Sequence, residues 1–295
     1  MIQEVSVVIP TLGGSTLLKT INILNSGTIV PAEILICIPV KYASRVSNLN
    51  FDNVRIVETD MCGQVAQRAI GFREASHLFV MQLDDDIHVG RECIKTLFDS
   101  LNSVDSNSAV APSFIDINSG KSVYTSSFNR SVLNKIYYWL SNGSDGYKPG
   151  IVDKSCTSIG VNPSREKNEL ISVNWLAGGC VLHHKDFLVL DNFYPFSGKA
   201  FNEDIIHSHL LREKGVKLWV STKATCRLEI IPSTNYRFRE FINNFVADYK
   251  SRKYFARMSG RSVLRMHVFY IAWFSSYVIN WFKKIFRKSL SSTKA

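Results

Sequence analysis

The 295-residue sequence has no C-x-x-C pair and no set of Cys/His spacings of the kind a zinc site needs, which argues against the common zinc modules and a disulfide framework. Its six cysteines (Cys37, Cys62, Cys93, Cys156, Cys180 and Cys226) are scattered, and are expected to be reduced, mostly buried thiols of a cytosolic protein. The first residues do not read as a signal peptide either: Met1, Ile2, Gln3 and Glu4 include an acid and run directly into an apolar strand-like segment, so the chain is expected to stay where it is made. No internal repeat and no Pro/Gly-rich linker divides it. One compact α/β domain with a C-terminal appendage is the organisation this implies.

Acid is absent from the end of the chain, where nothing after Asp248 carries a negative charge. Of the 35 basic residues, those beyond Asp248 account for the net charge of +10, because the others nearly balance the 25 acids. An anionic partner is therefore to be sought at the tail. Residues 263–286 are dense in apolar and aromatic side chains. On a helical wheel Ser262, Arg265, Ser276, Asn280, Lys283, Lys284, Arg287 and Lys288 gather in one arc. Phe269, Tyr270, Trp273 and Tyr277 interrupt that arc, which suits a helix lying at the headgroup level of an anionic membrane. A spanning helix over 266–282 and a dimer helix are the alternatives, with His267, Ser275, Ser276 and Asn280 opposing the first.

Strand-like runs at 5–9, 33–38 and 54–57 alternate with helical spacing at 15–24 and 63–75, the signature of β-α-β units in a mostly parallel sheet flanked by helices. A further strand is predicted at 78–83. Residues 113–169 are rich in Asn, Ser and Gly and read as a variable binding surface outside the sheet. Regular pattern returns at 171–182, lapses at 191–202, and resumes as a helix at 203–214 and a strand at 216–220. The expected division is a catalytic domain at 1–232, with a ligand-binding half at 1–110 and a second half at 111–232, followed by a basic helical tail at 233–295.

Asp84, Asp85 and Asp86 follow the strand at 78–83, where open α/β sheets bind their ligands. Adjacent carboxylates repel unless a cation compensates, and an all-oxygen set favours Mg²⁺ or Mn²⁺. The bland alternative is an acidic turn in which Asp86 caps a helix beginning near Gly90. Glu203 and Asp204 open a predicted helix. They suit general-base catalysis on a hydroxyl or, more simply, complement the helix dipole. Gly178 and Gly179 interrupt the apolar run after Trp175 and permit close approach of a ligand, or form a bulge without one. The histidines His88, His183, His184, His207 and His209 are read as structural or surface residues.

The order of these motifs resembles the family-2 glycosyltransferases of the GT-A fold, over roughly residues 3–222. Ile9-Pro10-Thr11 resembles the end of that family's first strand. Gly63, Arg68 and Gly71 fall at the spacing of its G-x(4)-R-N-x-G helix, Asp84 to Asp86 resemble its D-x-D signature, Ala177-Gly178-Gly179 its glycine strand, and Glu203-Asp204 with Gly215 its E-D…G helix. The resemblance implies donor binding by Pro10, Thr11, Arg68, Asp84, Asp85, Gly178 and Gly179, with Mn²⁺ or Mg²⁺ on Asp86. It also implies an acceptor site that includes Trp175, Asp204 as catalytic base and Glu203 beside it.

Two departures stand out. Ile38-Pro39-Val40 replaces the aspartate that reads the nucleobase, and Ala69 replaces the asparagine after the helix arginine, so base recognition is assigned to another route through Asp60 or Arg68. The expected activity is inverting transfer from a nucleotide-sugar donor to a glycan hydroxyl. The acceptor is expected to be carried on a polyprenyl diphosphate in bacterial O-antigen or capsule synthesis, and the enzyme to be peripheral on the inner face of the plasma membrane. Two rivals remain: a nucleotidyltransferase using the Gly13-Gly14 loop, and a basic nucleic-acid-binding module around 236–261, whose binding face the aspartates would oppose.

Overall fold

The structure, a computed structural model, describes residues 4–124, 131–230 and 238–292. Met1, Ile2, Gln3, Tyr236 and the side chains of Asn280, Lys283, Lys284, Arg287 and Lys288 lie outside the described residues. Four strands, β1 (Val5–Pro10), β2 (Glu33–Pro39), β3 (Val54–Thr59) and β4 (Phe79–Leu83), pair in parallel in the order β3-β2-β1-β4. Every residue of β1 is buried, as a strand covered on both faces requires. Helices α1 (Leu17–Asn25) and α2 (Gln64–Glu74) make the crossovers. α2 lies unusually close to the sheet, because a Cβ at Gly71 would run into Val8 and Cys37.

The second half is built differently. β5 (His88–Val89), α3 (Cys93–Asn102), β6 (Ser108–Asp116), α4 (Val132–Asn142), β7 (Leu170–Val173), β8 (Cys180–His184), α5 (Glu203–Glu213) and β9 (Lys217–Leu228) follow in chain order. β8 inserts antiparallel between β4 and β6, β9 lies parallel to β6, and β5 and β7 pair antiparallel with β9. The sheet is thus mixed, with parallel ladders longer in total than antiparallel ones. The register pairs Leu83 of β4 with Cys180 of β8, so the residues just before β8 lie beside those just after β4.

Expectations about the bounds of individual elements are corrected as well. Residues 113–116 belong to β6, whose register with β9 shifts at Pro112/Ser113; this bulge breaks the alternation that marks a strand. Within the stretch read as irregular, Tyr137, Tyr138 and Trp139 sit in α4. The apolar run at 171–182 is two strands, interrupted from Asn174 to Gly179. β9 extends well past residue 220.

α6 (Phe238–Met258) and α7 (Val263–Ser292) complete the chain. Phe255, Ala256, Met266 and Tyr270 from these helices share one buried cluster with Val65, Trp175, Ile205 and Ile206. Among the described residues, no helix is long and apolar enough to cross a membrane. The cysteines are free, five of them buried and Cys62 exposed. Scattered in sequence, Cys93 and Cys226 nevertheless meet in the core, their sulfurs 3.7 Å apart.

Candidate active site

β1 and β4 are neighbouring parallel strands at the point where the sheet's order turns, β2 and β3 lying to one side and β8 to the other. Their carboxyl ends open into a crevice, as such switch points do. The cleft has a volume of about 620 Å³ and receives Pro10 and Thr11 after β1, Asp84, Asp85 and Asp86 after β4, Gln64 and Gln67 from α2, and Gly198, Lys199 and Ala200 from the loop before α5. The exposed Cys62 lies on its edge.

The three aspartates are in different situations. Asp84 Oδ1 accepts from Gln64 Nε2 at 2.7 Å and from Arg68 Nη2 at 3.0 Å. Burial raises its pKa to about 6 against the opposing pull of Arg68. Asp85 accepts the Thr11 hydroxyl, and its backbone carbonyl accepts from Thr20 at 2.9 Å. Asp86 is exposed and takes no hydrogen bond from the described residues. It does not cap the following helix either, since α3 begins at Cys93 with Glu92 in the cap position. No group of three or more His, Cys, Asp or Glu among the described residues is arranged to hold a metal ion. One open carboxylate facing a cleft does fit Mg²⁺-type binding, in which one or two protein oxygens act with ligand phosphates and water.

Arg68 links the two groups of acids. One of its terminal nitrogens donates to both carboxylate oxygens of Glu203, at 3.1 and 3.0 Å, while the other holds Asp84. Both Arg68 and Glu203 are buried. Burial works against the charge on Arg68, yet Glu203 and Asp84 together raise its pKa. The guanidinium is thus shared, one terminal nitrogen serving each carboxylate through charge-assisted hydrogen bonds.

Gly178 and Gly179 lie between the acids. A Cβ on Gly178 would stand 2.5 Å from Glu203 Oε1 and 3.5 Å from Asp204 Cβ, and one on Gly179 would stand 3.5 Å from Asp84 Oδ2. The Gly178 carbonyl is held by Gln82 Nε2 at 2.6 Å, and the Gly179 carbonyl by the Asp84 N–H at 2.9 Å.

Asn202, ahead of this pair, adopts a left-handed φ of +59°. Its amide donates to Asp248 Oδ2 at 2.9 Å and to Ser251 Oγ at 2.8 Å, so α6 secures the turn that starts α5. Asp204 Oδ1 accepts the Ile205 N–H at 2.8 Å. Burial, reinforced by Glu203, lifts the Asp204 pKa to about 7. Burial and the charge of Asp204 in turn push up the phenol of Tyr124.

Arg68, Gly178, Gly179, Glu203 and Asp204 are not part of the cleft lining and are connected to it through Asp84, and other expected site residues fall elsewhere. Asp60 is exposed after β3 and is not part of the cleft lining. Trp175 is buried edge-on to Tyr124, its indole N–H without a partner among the described residues. His183 and His207 are buried with ring centres 5.6 Å apart, and burial drives His183 down to about 3. Behind the Gly13-Gly14 turn Arg45 packs close to Gly13, and Asp85 stands beside Gly14. Sequence reasoning missed Gln64, Gln67 and Asn202. Gln67 is buried, donating to the Thr11 and Cys37 carbonyls at 2.8 and 2.6 Å. The signal for it was a polar residue within the apolar stripe of α2, next to Arg68.

Neither protein-family models nor curated protein sequences match the chain. Solved structures do. The crystal structure of GalNAc-T7 with UDP, GalNAc and Mn²⁺ is similar with a TM-score of 0.55 and 20% identity, over 79% of this chain and 45% of that one. The structure of S. aureus TarS 1–349 is similar with a TM-score of 0.46 and 12% identity, over 77% and 60%. This chain therefore spans less than half the length of the GalNAc-T7 chain. The likeness to GalNAc-T7 shows the fold, a GT-A-like sheet flanked by helices.

Proposed function

We propose that this chain is an inverting glycosyltransferase that binds a nucleotide-sugar donor in the β1/β4 cleft and transfers the sugar to a hydroxyl of a glycan acceptor. The observation that supports this reading is the Asp84–Arg68–Glu203 bridge, which ties an acid of the cleft lining to one 119 residues away in sequence. The GalNAc-T7 structure of the same fold holds UDP, GalNAc and Mn²⁺, which supports the donor class.

Pro10, Thr11, Asp84 and Asp85 would line the nucleoside end, and Gly178 and Gly179, packed against Glu203 and Asp84, would lie beneath the sugar. Asp86 would hold Mn²⁺ or Mg²⁺, an ion that neutralises charge on a departing nucleoside diphosphate. Asp204 takes the acceptor hydroxyl proton as that oxygen bonds to the anomeric carbon, on the face opposite the breaking bond to diphosphate. Glu203, clamped by Arg68, keeps the start of α5 in place. A glycan on a polyprenyl diphosphate, as in bacterial O-antigen or capsule assembly, is the acceptor that suits a chain peripheral to the inner face of the plasma membrane through its basic tail. Supporting that location is the charge of the tail, which carries no acid beyond Asp248.

The test is a screen of nucleotide sugars for slow hydrolysis stimulated by Mn²⁺ or Mg²⁺. Donor binding is read separately, as protection of the exposed Cys62 from alkylation. Asp86→Ala is expected to lose metal-dependent protection, and Asp204→Asn to keep protection while turnover falls at least about a hundredfold, the usual share of a general base. Turnover unchanged in both variants would end the proposal.

A further inference from the structure

α4 presents its faces the wrong way round for a helix on a globular surface. Tyr138, Ser141 and Asn142 point inward, whereas Val132, Leu133, Ile136, Trp139 and Leu140 are 74, 79, 51, 62 and 44% exposed. Those five positions form a single stripe at helical spacing. The inversion is not fraying. Ser131 caps the start by accepting the Asn134 N–H at 3.4 Å, and Gly143 closes the end with a left-handed φ of +72°. The inward face is anchored by polar contacts, among them Ser155 Oγ donating to Asn142 Oδ1 at 3.1 Å.

α7 runs against α4. Arg265 Nη1 donates to the carbonyls of Trp139 and Leu140, at 2.8 and 2.9 Å. α7 has an outward apolar row of its own in Leu264, Ile271 and Ile279, 75, 68 and 53% exposed. Two packed helices that both turn apolar rows to solvent mark an interaction site.

We propose that α4 is a second membrane-contact element, whose stripe enters the headgroup and acyl boundary of an anionic bilayer beside α7. The proposal rests on the membrane reading of the tail and adds an element outside it. Charge selects the occupant. α4 contains Lys135 and no acid, and no acid follows Asp248 in the chain that forms α7. A second copy on a two-fold axis would bring these like charges together, whereas anionic lipid supplies the countercharge while its interface takes the apolar side chains.

The full chain is floated with vesicles of phosphatidylcholine, alone or with phosphatidylglycerol. Leu133→Ser/Trp139→Ser is expected to lower the partition coefficient on anionic vesicles about tenfold or more, as loss of two buried apolar groups requires, with thermal unfolding and donor hydrolysis unchanged. Brominated lipid should quench tryptophan emission less in Trp139→Phe than in the parent chain. Parental vesicle binding by the double variant would overturn the proposal. So would a parent that sediments as a dimer and a double variant that is monomeric with unaltered lipid binding, since the stripe would then face protein. Replacing Lys283, Lys284, Arg287 and Lys288 by Gln tests the tail alone, and loss of donor hydrolysis with intact vesicle binding bears only on the catalytic reading.

Discussion

A carboxylate accepts a proton from an alcohol well only when its own affinity for protons is high, and Asp204 meets that condition through burial and the neighbouring Glu203. Arg252 and Tyr124 are the other ionisable groups that sense it, the cation drawing its pKa down. Because the ionised form is the base, kcat/KM should rise with pH through about 7 and level off above; a profile flat from pH 5.5 to 8.5 in a parent chain limited by chemistry would remove Asp204 from the role. Gly178→Ala tests the same corner by volume. The added Cβ would displace the Glu203 carboxylate from Arg68, so kcat should drop at least about tenfold with the fold preserved, a loss of 1.4 kcal/mol or more of transition-state stabilisation. Circular dichroism with steady-state kinetics separates the two effects. At this scale the acids and Arg68 were readable from motif order, but the bridge between them was not. A guanidinium shared by two carboxylates leaves no trace in spacing.

The helix that carries the base is aimed by a turn that would ordinarily be costly. A non-glycine residue in the left-handed region loses about 1–2 kcal/mol, and here Asn202 is held by α6 through Asp248 and Ser251. Asn202→Gly keeps the backbone preference and removes only the side-chain ties. It should lower kcat while leaving donor KM nearly unchanged, whereas Asn202→Ala should in addition lose about 1–2 kcal/mol in a denaturant melt. Equal donor KM and kcat in parent and glycine variant would make the tie to α6 irrelevant to chemistry. The elements themselves were largely visible: β1 to β4, α1, α2 and α5 begin and end within a few residues of their predicted spans. The antiparallel insertion of β8 was not, because strand direction is set by partners far along the chain, and a short apolar run reads alike in either sense.

For the molecule as a whole, the basic C-terminal segment is both a charged surface and a structural wall. Phe255, Met266 and Tyr270 are buried against Ile205 and Ile206 of α5, and each such side chain contributes about 1.5–3 kcal/mol. A chain ended at residue 237 should therefore lose cooperative thermal unfolding, and one ended at residue 279 should retain it, as circular dichroism melts would show. Membrane binding is better probed by neutralising the terminal cations than by removing the helices. Composition revealed the concentration of charge at this end. It did not reveal that the same residues complete the core, because amphipathic aromatic helices look alike whether they cover lipid or protein.

The position of β8 has a bearing on how the protein is made. β4 finds its neighbour on that side only in residues 180–184, about a hundred positions later in translation. Until that segment emerges from the ribosome, the early half of the sheet carries a bare, apolar border able to recruit foreign strands. A cell producing this protein must shelter the growing chain over that interval, and slow elongation between residues 84 and 180 would be expected to lower the yield of folded product.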